Sequence, residues 1–507
     1  MKTYHTIKTL ALGGIAMFSL ASCSLDYEPL SEPSEITQGG QTETSTAVLK
    51  DKAAADAQLK SLYELFRNRQ EHTHLDYLLI GDSHSDNAYA GTTGAEVVPY
   101  ETNSIDASNS VLSRDWNRYL EDIAQANVLI NGVEQLKENG QISEAEYHSY
   151  KAQGEIFRAL MMFRMARLWG SFPVITTIAK TITSENINEV YPTYYPPRKT
   201  PKECYEQIIA DLTDAEQYAP DNDNSDRTKM TKTVAQAMLA KVYAEKEVQD
   251  YDKVIAYADK VMNTTGVELE DSYETLWGYD ETAIDCMKRN TKEGILEVHW
   301  SGGGNWETWM YGRQLDNWDY YFTWAKWITP SRDIINDFDK EGDEVRKNQA
   351  IVYYACTWSN YYPASNYPFM YKLRSSYNNI YWVRLADIIL MKAEAEAYKG
   401  NLAESAKLVN QIRKRAKLKE LTSDKTGSKE SMIEAVLHER RLELAFEGER
   451  WFDLCRNNKV EQYLNGIDNR DSGRIRQVRQ FDSNSYLLPI PQTALDQNTN
   501  LEQNPGY

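Results

Sequence analysis

Residues 384–416 read RLADIILMKAEAEAYKGNLAESAKLVNQIRKRA, and this stretch decides the fold. Good helix formers run without a break to Lys399, and Gly400 with Asn401 then supplies a stop signal. A second helical run follows immediately at 402–416. The stretch therefore predicts two helices joined by a tight turn within about 33 residues, which is close to the length of a tetratricopeptide unit.

A similar helix pair is predicted at 231–262, with its turn at 249–250. Ala244 and Ala395 are small enough to let helices approach closely, whereas Tyr398 is large enough to fill a groove on the next helix. Pairs of this kind bury their faces by stacking. We therefore predict a mainly α fold of stacked tetratricopeptide-like helix pairs, with further helices at 51–69, 111–138, 144–169, 202–218 and 429–455.

The pattern breaks between residues 264 and 380. Residues 296–300 alternate apolar and polar side chains, as a short strand does. Three glycines follow, and the 28 residues from Trp300 to Trp327 contain six of the chain's twelve tryptophans. We interpret 264–380 as an irregular, aromatic-rich insertion containing short strands, carried by the helical scaffold.

The first 22 residues have the composition of an export signal. A positive start is followed by the apolar run 10–20, which is shorter than the about 20 residues that a membrane-spanning helix needs. Residues 20–23, LASC, resemble a bacterial lipobox, which implies a lipid on Cys23. We expect a flexible tether at 23–50, an N-terminal helical scaffold at 51–263, the insertion at 264–380 and a C-terminal helical segment at 381–507.

Composition excludes several classes of function. The net charge of −19 opposes binding to nucleic acid, because phosphates would be repelled. The cysteines after Cys23 form no C-x-x-C pair, and the spacing of His72, His74, His84 and Asp86 is only a weak metal pattern. We therefore expect no cofactor and no metal.

Six phrases together resemble the SusD/RagB-like outer-membrane lipoproteins of Bacteroidetes. They are residues 158–173 and the segments 384–395, 410–416, 439–454, 488–491 and 503–507. The resemblance implies a cell-surface protein that binds an oligosaccharide or polysaccharide. It also implies delivery of that ligand to a SusC-like TonB-dependent transporter, and no enzymatic activity. A peptide-binding member of the same family and a surface glycoside hydrolase are the alternatives.

The charged residues of the 439–454 phrase are expected to hold helices together. Arg440, Glu443, Glu447 and Arg450 lie three or four positions apart, so they can pair along one helix face or reach neighbouring helices. A catalytic carboxylate pair is the alternative, but no nucleophile or base motif accompanies it.

The aromatic cluster is the main candidate for the ligand site, because sugar rings stack on aromatic faces and their hydroxyls need polar neighbours. Trp306, Trp309, Trp318 and Tyr320 are the predicted contacts. The loop at 81–100 is a second candidate, through Asp86, Asn87 and Tyr89. The alternatives are that the aromatics pack the insertion's own core and that the loop is merely solvated.

We predict that Trp306→Ala and Trp318→Ala each weaken glycan binding by about 1 kcal/mol without unfolding the protein, because each removes one stacking partner. Titration calorimetry measures the affinity, and thermal unfolding checks the fold. Unchanged affinity in both variants would remove these two residues from the ligand site.

Overall fold

The computed structural model of the protein describes residues 49–91, 94–301 and 326–507. These ranges are mainly helical, which confirms the fold class predicted from the sequence. The longer helices are α1 Lys52–Asn68, α2 Ser110–Glu138, α3 Glu144–Trp169, α4 Pro201–Tyr218, α5 Lys232–Tyr243, α6 Tyr251–Met262, α7 Arg332–Glu341, α8 Glu344–Ala350, α9 Leu385–Lys399, α10 Leu402–Arg415, α11 Lys429–Glu443 and α12 Arg450–Arg456. Short helices lie at Asp76–Leu78, Val98–Thr102, Ile187–Val190, Tyr273–Trp277, Ser423–Thr426, Val460–Leu464 and Gln492–Gln497.

The strands are short and pair two at a time. They are β1 Ala88–Tyr89, β2 Tyr279–Asp280, β3 Asp285–Cys286, β4 Gly294–His299, β5 Thr329–Pro330, β6 Ile351–Tyr354, β7 Tyr367–Met370 and β8 Asn379–Arg384. The antiparallel pairs are β1 with β5, β2 with β3, β4 with β8, and β6 with β7. Apart from β1, these strands lie between residues 264 and 384, and β8 alone extends beyond the insertion predicted at 264–380.

The helices stack in chain order from α1 to α6, and the stack then continues from α6 directly to α9. Tyr398 of α9 stacks on Tyr251 of α6 with ring centroids 4.7 Å apart, and Lys392 donates to Asp259 at 2.6 Å. Ala244 and Ala395 are buried, as the tetratricopeptide-like pattern predicts. The chain between α6 and α9 therefore leaves the stack and returns to it.

Local sequence explains where the main helices begin and end. Ser143 forms a capping box with Glu146 at the start of α3, and Thr200 does the same with Glu203 at α4. Gly400 ends α9 in the left-handed conformation at a φ of 84°, which costs a glycine little. The sequence shows these signals directly. The predicted starts of α3 and α4 and the predicted end of α9 therefore agree closely with the structure.

Two predicted helices were wrong in part. The C-terminal helical segment is expected from residue 381, but its first helix begins only at Leu385, because Tyr381, Trp382 and Val383 belong to β8 and pair with β4. Aromatic and β-branched residues suit a paired strand better than a helix.

The helix expected at 429–455 is interrupted between α11 and α12. Phe446 and Gly448 have positive φ values of 61° and 81°. The buried Asp82 carboxylate accepts hydrogen bonds from both of their backbone N–H groups, at 3.0 and 2.9 Å. The side chain of a distant segment thus replaces the backbone bonds that a continuous helix would have made.

The C-terminal tail, residues 456–507, carries buried apolar side chains. Leu488 and Ile490 are buried, and the backbone N–H of Leu488 bonds to the carbonyl of Leu168 on α3. Trp169 donates its indole N–H to the carbonyl of Pro489 at 3.1 Å. The tail therefore packs against the N-terminal half of the protein.

A buried ion network joins the insertion to the C-terminal helices. Arg384, at the end of β8, donates to Glu293 at 2.8 Å and to Glu443 at 2.7 Å, and it also pairs with Glu447. Burial alone would raise the pKa of the Glu443 carboxyl. The guanidinium groups of Arg415, Arg384 and Arg346 instead hold that pKa well below its usual range. The motif charges therefore pair between elements.

No helix in the three described ranges combines the length and the apolar character needed to cross a membrane.

Candidate functional site

A cavity of about 800 Å³ lies where the helical stack meets the insertion. Its walls come from α1, the turn at 226–229, the β2–β3 hairpin, β4 and the region of Tyr377. Ligand pockets of proteins commonly have volumes of about 300–1,000 Å³ and combine apolar walls with a few polar groups. The lining residues fit this description: Lys60, Tyr63, Glu64, Phe66, Arg67, Asp226, Thr228, Lys229, Ala283, Ile284, Asp285, Arg289, Leu296, Glu297, Val298, His299, Ser301 and Tyr377.

Helix α1 supplies one wall through helical spacing. Lys60, Tyr63, Glu64 and Arg67 lie three or four residues apart and therefore share a face. The Tyr63 hydroxyl donates to Gln153 of α3 at 2.7 Å and accepts from the backbone N–H of Met230 at 3.0 Å. These bonds fix this wall to the neighbouring helix and to the turn beside the cavity.

The β2–β3 hairpin supplies another part of the cavity wall, and the backbone of its turn is strained. Ile284, between the two strands, has a φ of 53°, which β-branched residues rarely adopt, and its side chain is 54% exposed. Backbone strain of this kind costs about 1–3 kcal/mol and often marks a functional site. The hairpin thus holds an apolar side chain beside the cavity instead of burying it.

Strand β4 contributes a fixed polar pair. The Glu297 carboxylate is buried and accepts from the backbone N–H groups of Asn290 and Thr291, both at 2.8 Å, and from the Thr291 hydroxyl at 2.7 Å. Its remaining bond joins Glu297 Oε2 to His299 Nε2 at 2.9 Å. The imidazole of His299 is thereby held in one orientation at the cavity wall.

Arg289 connects three segments of the cavity wall through hydrogen bonds. One of its terminal nitrogens donates to Asp285 at 2.5 Å, to the carbonyl of Trp300 at 2.6 Å and to the carbonyl of Tyr377 at 3.4 Å. Burial opposes the ionisation of Asp285, but hydrogen bonding and charge from Arg289 lower its pKa below the usual value. One guanidinium therefore links the hairpin, the end of β4 and the segment before β8.

Comparisons with known proteins match both the N-terminal and the C-terminal part of the chain. The model of the SusD family matches residues 348–507, and a model described as "Starch-binding associating with outer membrane" matches residues 41–244. A SusD-like protein of Formosa agariphila is 27% identical over 440 residues, which cover 79% of this chain and 81% of the relative. A SusD-like protein of Bacteroides ovatus is 24% identical over 420 residues, which cover 74% and 70%.

Solved structures agree in fold. A SusD homologue from Bacteroides thetaiotaomicron has a TM-score of 0.73 at 20% identity and covers 92% of this chain and 99% of its own. A structure described as a laminarin-binding SusD-like protein has a TM-score of 0.69 at 22% identity and covers 90% and 100%. The chain belongs to the SusD/RagB family.

Four predicted ligand contacts of this SusD-family chain, Trp306, Trp309, Trp318 and Tyr320, lie outside the described residues, and so does the lipobox Cys23. They stay predictions. Ser301, which directly precedes the segment that carries the four aromatics, lines the cavity. Trp300, at the start of the same cluster, is 2% exposed and its ring packs edge-on against His74 at 5.6 Å. Trp300 is therefore packed in the main core of the protein, against a residue outside the insertion.

The loop candidates Asp86 and Asn87 lie inside the protein. Asp86 pairs with Arg450 through two hydrogen bonds of 2.8 and 2.9 Å, and Asn87 accepts from Arg441 at 3.0 Å. Burial would raise the pKa of the Asp86 carboxyl, but Arg441 and Arg450 hold it well below its usual range. These bonds give Asp86 and Asn87 structural partners, so the solvated-loop alternative is wrong.

Tyr89 is buried as well. Its hydroxyl donates to Asp471 at 2.5 Å and its ring stacks on that of Tyr361, with centroids 4.3 Å apart. A ligand role for Asp86, Asn87 and Tyr89 stays a prediction. In the described ranges these side chains contact other residues of the protein.

The histidines of the weak metal pattern do not share a site in the structure, since His72 and His84 have different partners. His72 pairs with Asp122 at 2.8 Å, and His84 contacts the carbonyl of Tyr100 at 2.6 Å. Among the residues that the structure describes, no group of three or more His, Cys, Asp or Glu side chains is arranged to hold a metal ion.

Sequence reasoning missed most of the cavity wall. His299 lay in the predicted strand, but nothing in the sequence showed that Glu297 fixes its ring. Tyr63 and Tyr377 are separated from it by long stretches of chain, and only the fold brings them together. The positive φ of Ile284 gave no sequence signal, because glycine and asparagine are the residues that usually announce such a turn.

We predict that Asp86→Asn destabilises the protein by about 3–5 kcal/mol, because it removes the carboxylate that pairs with the buried Arg450. Arg441 keeps Asp333 and Asp337 as partners. Urea unfolding measures the change. Asp221→Asn is the matched control: the Asp221 side chain is 88% exposed and, among the described residues, its ion pair is with Lys232, so its loss is expected to cost under about 1 kcal/mol. An Asp86→Asn protein of unchanged stability but weakened ligand affinity would instead make Asp86 a ligand contact.

Proposed function

We propose that this protein captures an oligosaccharide or polysaccharide outside the cell and delivers it to a SusC-like TonB-dependent transporter. The cavity between α1, the β2–β3 hairpin and β4 is the observation that carries the proposal, together with membership of the SusD family. The description of one family model as starch-binding and the laminarin-binding structural neighbour support a carbohydrate ligand. The aromatic segment that follows Ser301 provides stacking partners in the proposal.

Binding without catalysis is part of the proposal. A glycoside hydrolase needs two carboxyl groups that are free to act as acid and base or nucleophile. In the described part of the cavity wall, Glu297 accepts four hydrogen bonds and Asp285 is engaged by Arg289 and by the backbone N–H of Cys286. These two carboxylates are occupied by structural bonds, and the other two of the lining, Glu64 and Asp226, each lie 3.7 Å from a lysine, which favours a binding site over a hydrolytic one.

A serine hydrolase arrangement is also disfavoured. Glu297, His299 and Ser301 alternate along the chain and all line the cavity, in an order that superficially suggests a catalytic triad. Nucleophilic catalysis requires a hydrogen bond between the serine hydroxyl and the base. Within the described ranges, the hydrogen bond of the His299 ring is to Glu297 and no bond joins it to Ser301.

The proposed location is the outer face of the outer membrane, through lipid on Cys23. The family description supports association with that membrane. The proposed tether at 23–50 would let the body move relative to its anchor while it stays attached. A peptide ligand remains the alternative within the same family.

We predict that Tyr377→Ala weakens binding of a laminarin-derived oligosaccharide about fivefold, which corresponds to the loss of about 1 kcal/mol from one aromatic contact. Tyr191→Ala is the control, since Tyr191 is 51% exposed and lies outside the cavity lining. Titration calorimetry on the two purified variants measures their affinities for the oligosaccharide. Equal effects of both substitutions would contradict the cavity as the site, and binding to a peptide library with no glycan bound would favour the alternative.

We further predict that the transporter copurifies with the protein from gently solubilised outer membranes. Cys23→Ala is the control for anchoring: it is expected to release the protein from the membrane fraction while its affinity for ligand is unchanged. Recovery of the membrane-bound protein alone, under conditions that keep other outer-membrane complexes intact, would count against the transporter.

A further inference from the structure

The cations of the cavity wall are neutralised by carboxylates of the same wall. Lys60 lies 3.7 Å from Glu64, and the Arg289 guanidinium lies 2.5 Å from Asp285. Lys229 lies 3.7 Å from Asp226, and it also pairs at 2.7 Å with Asp223 beside the cavity. An anionic ligand would have to displace one of these carboxylates or lie next to it.

Arg67 is the exception on the wall. It has no carboxylate partner among the described residues, and it is exposed to solvent in the last turn of α1. A cation at this position interacts favourably with the helix C-terminus, and water and salt screen its charge. The overall charge of −19 adds a repulsive field for polyanions. Arg67 therefore provides little selection for a negatively charged ligand.

His299 adds a polar group of defined direction. In the neutral form of the His299 ring, the hydrogen lies on Nε2, which donates to the Glu297 carboxylate, and Nδ1 carries a lone pair. Nδ1 has no hydrogen-bond partner within the described ranges, and the side chain is 19% exposed in the cavity.

We infer that the cavity selects a neutral, hydroxyl-rich ligand, with His299 Nδ1 as a fixed acceptor for a ligand hydroxyl. The inference rests on the proposed glycan-binding function and narrows its ligand class from glycans in general to uncharged ones. Each charged group on the wall other than Arg67 and Glu297 already has its counter-charge, and Glu297 is held by four hydrogen bonds, so a neutral ligand enters without breaking an ion pair. Glu297 is a positioning residue, which acts through the orientation that it gives to His299.

The charge selection is tested with two oligosaccharides of equal length, one a neutral laminarin-derived glucan and the other an oligogalacturonate. The neutral ligand is expected to bind at least about tenfold more tightly, with an affinity that changes less than about twofold between low and high salt. Arg67→Ala is expected to leave this affinity unchanged. A tighter, salt-sensitive interaction with the oligogalacturonate would overturn the inference.

The role of His299 is tested with a matched pair of variants. In His299→Gln the amide reaches the position of Nε2 and keeps the bond to Glu297, but it offers no acceptor at the position of Nδ1. In His299→Asn the amide oxygen lies near the position of Nδ1. We expect the glutamine variant to bind the neutral glucan about fivefold more weakly and the asparagine variant to retain most of the affinity, since one hydrogen bond is worth about 1 kcal/mol.

Thermal unfolding of both variants separates binding from folding. Equal losses of affinity in the two variants, or no loss in either, would overturn the role of Nδ1. Binding of the acidic oligosaccharide alone would overturn the inference while the glycan-binding function stands. Failure to bind glycans of either charge, with binding of a peptide, would overturn the proposed function itself.

Discussion

The Arg384 guanidinium lies where strand β8 becomes helix α9, and its hydrogen bonds join parts of the chain that are far apart in sequence. Glu293 precedes β4, whereas Glu443 and Glu447 lie at the interruption between α11 and α12. All of these groups are nearly inaccessible to water. A buried charge is stable only when its partners are fixed around it, so this network requires the insertion and the C-terminal helices to hold one relative position. The cavity depends on that position, because β4 forms its wall and is paired with β8.

The network and the cavity divide the charged residues into two kinds. Charges of the first kind are buried and shared among three or more elements, as around Glu443 and Asp86. Charges of the second kind lie at the cavity wall and are neutralised locally, as Asp285 is by Arg289. The first kind fixes the fold, and the second leaves a wall without strong net charge. The two family models cover residues 41–244 and 348–507, and the hairpin and β4 fall between them. Half of the cavity lining thus lies outside the ranges that the two family models match.

Sequence patterns predicted the helical stack because its signals are local. Capping residues, glycine stops and apolar periodicity specify α3, α4, α9 and α10 within a few residues of chain. The errors occurred where a distant group decides the conformation. Asp82 interrupts the helix after Glu443 by binding two backbone N–H groups, and β4 draws residues 381–383 into a strand. The same reason explains the site: His299 was visible as a strand residue, but its partners on α1 and near Tyr377 become neighbours only in the folded chain. Asp86 looked like a polar loop residue, since a sequence does not show that two arginines about 360 residues away enclose it.

The direct packing of α6 on α9 has a consequence for the order of folding. During synthesis the N-terminal helices emerge first, and the face of α6 that contacts Tyr398 and Lys392 stays uncovered until residues 385–399 follow. Contacts of large sequence separation form slowly. Asp259 and Lys392 are 133 residues apart, so α6 completes its native packing only after the whole intervening segment has been made.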